Sequence, residues 1–580
     1  MKSFLKFTLA STLGVILAIF IFIIIAVASS GEKEVKIASN SVLKINLNEI
    51  SAERSNKDPF ANFNILNTDL EEYPGLWEVI KAIDIAKNDN KVKGIYLNGN
   101  TLLMGYAAAR ELHYALKDFK ESGKFIYAYS EVMDQKFYYI ASCADKIWLN
   151  PQGNLSMLGL AANITFYTEA LAQVGVEMQI IRHGKFKSAV EPFLLTEMSE
   201  ANEEQTSQFI SSIWNNVLAD IASARNVSTE QLNLLINNGS LMDADIAKES
   251  GLIDDTFYRD QVLAELKSAL GLSEEQKVKY HDALYLVEAN PGKYSKDKIA
   301  IVFAHGNVVD GNAGEGTVSS GRISKAIKKA REDDGVKAIV LRINSPGGSA
   351  LASEVIWREI MLTKGVKPIY ASMGDVAASG GYYIACLTDK IYAQPTTITG
   401  SIGVFGMFPN AQKLMEDKIK LHFDGVKTNA LADFGSINRP LQENEKQLLQ
   451  SFVEKTYDVF TKRVAEGRDL SQASVDSIGQ GRVWSGHDAQ RINLVDDFAG
   501  LQQVVELAAQ EQGLEEYRIL EYPELKDPIQ QILEDLSKQA KIAIWGESEI
   551  ETEYKRLYEE LQTILDQSGI QMWMPYQFNW

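Results

Sequence analysis

Met373-Gly374-Asp375-Val376-Ala377-Ala378-Ser379-Gly380-Gly381-Tyr382 decides how this chain is read. Before it, Pro368-Ile369-Tyr370-Ala371-Ser372 has the apolar, β-rich composition of a short buried strand. After it, Tyr382-Tyr383-Ile384-Ala385 opens a buried helix. Ser379 is therefore expected on a strand-to-helix turn, where Gly380-Gly381 lets the backbone bend and a substrate approach closely. A hydroxyl there meets the partial positive charge of a helix N-terminus, which favours developing anions. Serine before two glycines also makes a plain helix N-cap, so this stretch alone does not separate structure from chemistry.

A second stretch does. Val336-Lys337-Ala338-Ile339-Val340-Leu341-Arg342-Ile343 reads as a strand running into Asn344-Ser345-Pro346-Gly347-Gly348-Ser349. Paired glycines leave backbone N–H groups uncovered, as an oxyanion hole requires. A strand ending in a bare Gly-Gly loop, then a strand ending in a serine on a glycine turn, resembles the ClpP/crotonase fold. Within that fold the chain resembles the signal peptide peptidase A (protease IV) family in its long, membrane-bound form. Asn344 to Gly348, Met373 to Tyr382, Thr399-Gly400-Ser401-Ile402-Gly403-Val404 and Lys187-Ser188-Ala189-Val190-Glu191-Pro192-Phe193 carry the resemblance, which covers most of the chain.

At 580 residues the chain is too long for one compact core, so two or more domains are expected. A formal charge of −19 leaves no basic stripe to neutralise phosphates, which argues against nucleic acid as a partner. Cys143 and Cys386 form no disulfide framework or zinc pattern, and each follows a Tyr-Tyr-Ile-Ala run that marks it as a buried packing residue.

From Phe7 to Gly31 no charged residue occurs. Roughly 20 apolar residues span a bilayer, and this run exceeds the roughly 7–15 residues of a signal-peptide core. Ala26-Val27-Ala28 resembles a cleavage site, but a retained transmembrane helix is the expectation. Lys2 and Lys6 place the N-terminus in the cytoplasm by the positive-inside rule, and everything after residue 31 outside the inner membrane.

The chain repeats itself. Ala82, Ile83, Ala86, Asp89, Val92, Lys93, Ile95, Leu97 and Asn100 recur in register from Ala326 to Asn344. Tyr138-Tyr139-Ile140-Ala141 pairs with Tyr382-Tyr383-Ile384-Ala385, and Leu252-Ile253-Asp254-Asp255 with Leu494-Val495-Asp496-Asp497. Helix alternates with strand in each copy, so the expected class is α/β with mostly parallel sheets. The expected division is an anchor at 1–31, ClpP/crotonase-like repeats at 32–290 and 297–515, and a helical extension at 516–580, helical for example over Glu549 to Leu565. That extension belongs to neither repeat and suits packing or subunit contact.

The copies differ where chemistry would sit. Opposite Gly347-Gly348 the first copy has Leu103-Met104, and opposite Ser379-Gly380 it has Gln135-Lys136. Conversely, Thr428 stands where the first copy has Lys187. One half has kept the hydroxyl and the glycine loop, and the other has kept a lysine.

A serine hydroxyl needs a base. No histidine lies between Gly380 and Lys420, and the six histidines show no triad order. A lysine can serve if desolvation keeps it neutral, and Val190, Pro192 and Phe193 could wall such a pocket. Lys185 is a rival to Lys187, because residues two apart on a strand share a face.

The family resemblance implies Ser379 as nucleophile, Lys187 as general base and Ser401 as the hydroxyl that orients the amine. It implies oxyanion N–H donors from Gly347 or Gly348 and from Gly380, each typically worth about 3 kcal/mol. It further implies amide hydrolysis through an acyl-enzyme, remnant signal peptides and other apolar peptides as substrates, and a homotetramer. No P-loop or metal-ligand spacing occurs, so no cofactor is expected. A crotonase-type acyl-CoA enzyme and a non-catalytic membrane scaffold are the competing readings.

Overall fold

The computed structural model describes residues 36–55, 73–292, 294–524 and 569–573, with isolated positions at 7, 11 and 14. Apart from those isolated positions, the expected span at 7–31 lies outside the described residues, as does the helix expected at Glu549 to Leu565. Among the described residues no helix is long and apolar enough to cross a membrane.

Two parallel sheets carry the α/β architecture, and they share one strand order. The first runs Asp255–Thr256, Lys146–Leu149, Phe125–Ser130, Val92–Asn98, Ser41–Asn46, Lys279–His281. In the second, Asp497–Phe498, Lys390–Ala393, Ile369–Ala378, Val336–Ser345, Lys298–His305 and Arg518–Tyr522 neighbour one another in the same sequence. Parallel strands need covering elements on both faces, which is why the central strands Lys298–His305 and Val336–Ser345 are rich in Val, Ile, Leu and Ala. Arg518–Tyr522 closes the second sheet, so this unit reaches past the boundary expected at 515.

Identical residues make identical bonds in the two copies. The Asp254 carboxylate accepts from Ile147 N at 2.7 Å, as Asp496 does from Ile391 N at 2.7 Å. Tyr138 OH donates to Leu252 O at 2.7 Å, and Tyr382 OH to Leu494 O at 2.8 Å. The two buried tyrosine bonds fix the Tyr-Tyr-Ile-Ala helix of each copy to the Leu252 and Leu494 backbone, since an unmatched hydroxyl there would be unfavourable. Cys143 and Cys386 are both free and buried, and burial pushes each thiol up to about 12.

A third sheet joins the copies. Its order is Thr317–Ser319, Asn307–Val309, Gly347–Ser349, Gly569–Trp573, Phe405–Asn410, Glu177–Arg182. The last strand belongs to the first repeat and pairs antiparallel with Phe405–Asn410 of the second. The first repeat's core also includes Ala378, Ile398 and Val483 from the second. Each copy also carries one long helix, Glu200–Arg225 in the first and Glu443–Arg468 in the second.

Candidate active site

Ser379 ends the strand Ile369–Ala378 and caps the helix Gly380–Ala385. Its backbone has φ 55° and ψ −114°, a region that a side chain enters only when its surroundings enforce it. Two bonds enforce it: Ser379 N donates to Gly400 O at 2.8 Å, and Ser379 O accepts from Tyr383 N at 2.9 Å. The following helix has only six residues. The local amides, rather than a long helix dipole, are what this turn offers an anion.

Those amides converge with the glycine loop. Gly347 has φ 103°, and a Cβ placed on it would stand 2.7 Å from Gly380 N. A Cβ on Gly380 would stand 3.2 Å from Gly348 N. At Gly347 a side chain would be strained and meet backbone, and at Gly380 it would also crowd Ser353 Oγ at 2.7 Å. Gly347 N also donates to Ser345 Oγ at 3.2 Å, which fixes the bend of the loop.

Lys187 arrives from the first repeat. Its Nζ lies 2.9 Å from Ser379 Oγ, 3.1 Å from Ser401 Oγ and 3.2 Å from Ser401 O. A neutral amine has two N–H donors and one lone pair. The two oxygens of Ser401 can take both N–H groups, which aims the lone pair at the Ser379 hydroxyl. Ser401 Oγ in turn donates to Gly481 O at 3.4 Å, leaving its own lone pairs for the amine. Lys187 is 1% exposed, and burial alone lowers its pKa well below the ordinary lysine value.

The walls of this pocket come from both repeats. Val190, Ala189 and Met178 pack with Phe405 and Met407, with Phe193 partly buried against them. The Phe405 ring centroid is 6.0 Å from Lys187 Nζ. The lysine loop is pinned from behind: Gln205 Nε2 donates to Phe186 O at 3.1 Å and to Ser188 Oγ at 2.8 Å. Glu191 accepts from Ser199 Oγ at 2.6 Å and from Asn202 Nδ2 at 2.9 Å.

Lys185 does not compete. The strand ends at Arg182, so residues 185 and 187 do not alternate as a strand would place them. Lys185 is exposed, with its Nζ 4.7 Å from the Phe186 ring centroid. Thr428 lies in an exposed loop, and the first repeat's Lys136 donates its amine to Met104 O.

Gly481 is a site residue that sequence reasoning missed. A Cβ on it would stand 2.6 Å from Lys187 Cα and N. Its neighbours hold the lysine loop through Phe186 N to Gln480 O at 3.1 Å and Gly481 N to Ile402 O at 2.7 Å. The signal available was Gly479-Gln480-Gly481, a glycine pair ahead of the short strand Val483–Ser485. Among the described residues no group of acidic, histidine and cysteine side chains could hold a metal ion.

Peptidase family S49 matches this chain twice, over residues 118–273 and 362–515. The chain belongs to peptidase family S49. It is 34% identical over 509 residues to Protease 4 of Haemophilus influenzae, covering 84% of this chain and 82% of that protein. It is 34% identical over 441 residues to the chloroplastic serine protease SPPA of Arabidopsis thaliana, covering 74% of this chain and 64% of that one. A relative in Enterococcus faecium named as signal peptide peptidase SppA is 36% identical over 197 residues, 34% of this chain and 57% of that one. A ClpP1 mutant from Listeria monocytogenes aligns with 35% of this chain and 94% of its own at 14% identity and a TM-score of 0.25. As an S49 member the protein is a serine peptidase, and the two matched segments fall one in each repeat.

Proposed function

We propose that this S49 peptidase works through a serine–lysine dyad built from its two repeats. Ser379 is the nucleophile, Lys187 the general base and Ser401 the hydroxyl that orients the amine. The observation that carries the reading is the 2.9 Å approach of a fully buried amine, its pKa lowered by burial, to a serine on a strained turn.

The chemistry follows in two steps. Lys187 takes the Ser379 proton while Oγ bonds to the scissile carbonyl carbon. The oxyanion is met by Gly380 N–H and by Gly347 or Gly348 N–H, donors worth about 3 kcal/mol each. Collapse of the intermediate breaks the C–N bond, and the leaving amine takes the proton from Lys187. Water then attacks the acyl-enzyme with the same lysine as base, restoring the free serine.

Extended apolar peptides are the substrate class assigned to the site, which sits beside the buried apolar cluster of Val190, Phe405 and Met407. Remnant signal peptides are such substrates, and a relative's name points the same way. Residues 7–31 anchor the chain in the inner membrane with the repeats on the outer side, and four copies assemble. Alkaline extraction of membranes and light scattering of the detergent-solubilised protein check those two statements.

Hydrolysis of a quenched fluorescent apolar peptide by the full chain tests the proposal. Ser379→Ala and Lys187→Ala should each abolish it, and Lys185→Ala should keep it. Unchanged hydrolysis by Ser379→Ala would dismiss the dyad.

A further inference from the structure

The turn Gly479-Gln480-Gly481 backs both Lys187 and Ser401. Gln480 O accepts from Phe186 N at 3.1 Å, one residue before Lys187, and Gly481 O accepts from Ser401 Oγ at 3.4 Å. Ser401 N donates to Arg482 O at 2.7 Å, just past the turn. Gln480 itself has φ 52°, a left-handed backbone that a side chain keeps only when its surroundings enforce it.

Tyr457, on the second repeat's helix Glu443–Arg468, supplies that enforcement. Gln480 N donates to its hydroxyl at 3.0 Å, and the hydroxyl donates to Asp476 Oδ1 at 2.6 Å. The tyrosine ring stacks on His183, with centroids 4.0 Å apart and planes inclined by 27°. His183 follows the strand that ends at Arg182 and opens the loop that leads to Lys187. One buried side chain thus meets this loop twice, at its entry through the ring and at Phe186 through the hydroxyl and Gln480.

The first repeat folds without this arrangement. Its counterpart helix Glu200–Arg225 has the same length but carries Trp214 where the second has Tyr457. Asn233 and Asn237 stand where the second repeat has Asp476 and Gln480. The helix Thr229–Asn237 runs on through that point, whereas Gln472–Ile478 stops short of it and turns. The tyrosine, its acceptor and the glycine turn occur together only in the repeat whose turn meets the lysine.

We infer that Tyr457 is a positioning residue for the proton transfer: its ring and hydroxyl clamp the Lys187 loop at two points and so set the aim of the amine at Ser379. The inference rests on the proposed dyad, with Lys187 as base.

Tyr457→Phe in the full chain tests it, because the ring keeps its stack and its place in the core while the hydroxyl is lost. With the quenched fluorescent apolar peptide, kcat should fall by about tenfold and KM should not change, since a small displacement of the base costs rate and not binding. The acid limb of kcat/KM should move to higher pH by about half a unit or more, because a loosened loop admits water and relieves the desolvation of the amine. Asp476→Asn, which keeps an acceptor for the hydroxyl, should retain the wild-type kcat and limb. Asp476→Ala should reproduce Tyr457→Phe, and it serves if Tyr457→Phe does not fold. Val464→Ala, in the same helix and the same core, should lower Tm without moving the limb. With Lys187→Ala inactive, a wild-type kcat and an unmoved limb in Tyr457→Phe, or an equal limb shift in Val464→Ala, would overturn the positioning role and leave the dyad standing. Wild-type hydrolysis by Lys187→Ala would overturn both.

Discussion

Arg342 donates from its Nε to Glu53 Oε2 at 2.9 Å, and the two residues belong to different repeats. The guanidinium is also 2.7 Å from Glu111, and Asn344 donates to Glu53 at 2.6 Å. Burial opposes its charge, but Glu111 and Glu53 outweigh that, and its pKa ends above the ordinary arginine value. Nearby, the Asp375 carboxylate accepts from Gly105 N at 2.9 Å and Ala108 N at 3.0 Å, at the start of a first-repeat helix. Arg342 and Asn344 lie on the strand that enters the glycine loop, and Asp375 on the strand that ends at Ser379. The first repeat thus grips both strands that carry the second repeat's half of the site.

Removing one partner of a buried ion cluster strands the others. Arg342→Met should therefore lose about 3–5 kcal/mol of stability by chemical denaturation. Lys81→Ala, which removes a partly exposed pair with Glu521, should lose no more than about 1 kcal/mol.

Burial lowers the Lys187 pKa well below the ordinary lysine value, so its removal should stabilise the fold while, on the proposed dyad, abolishing hydrolysis. The sign follows from linkage. Its folded pKa lies well below the unfolded value of about 10.4, so between the two the unfolded chain holds the extra proton. Wild-type stability therefore falls, relative to Lys187→Met, as pH drops through that window, by about 1.4 kcal/mol per pH unit. Below the folded pKa the gap should flatten. Thermal unfolding of both proteins across pH reads this directly.

On the proposed dyad, the same titration governs activity. kcat/KM should be lost as pH falls through the folded pKa of Lys187, because the protonated amine has no lone pair for Ser379. Ser401→Ala should lower kcat by about one to two orders of magnitude, since the amine loses one of the acceptors that aim it. Steady-state kinetics over a pH series checks both.

Gly481→Ala should move Lys187 from behind. The added Cβ would meet lysine backbone at 2.6 Å, at a φ of 86° that a side chain rarely adopts. We expect a loss of kcat of about a hundredfold or more, the size of a misplaced catalytic group. Gly425→Ala, whose Cβ would meet nothing within 4 Å, should leave kcat unchanged.

Much of this was legible in sequence because duplication doubles every signal. Asp254 and Asp496, or Tyr138 and Tyr382, mark the same bonds in each copy, so both parallel sheets and the turn at Ser379 could be placed from pattern. The contacts between copies left no such mark. Glu177–Arg182 and Phe405–Asn410 lie far apart in sequence, and pairing between short strands follows tertiary packing rather than local propensity. Gly481 acts by lacking a side chain where Lys187 passes, which composition does not reveal. Gly569–Trp573 is five residues after a charged segment, too short to announce itself as a strand.

The central claim is that an uncharged amine from one repeat activates an alcohol from the other. Intact-protein mass spectrometry during incubation with a fluorophosphonate measures that activation directly. Wild type should gain a single adduct that maps to Ser379, Lys185→Ala should gain it at the same rate, and Lys187→Ala should be slower by about a hundredfold or more. Labelling of Lys187→Ala at the wild-type rate, or an adduct on another residue, would contradict the account.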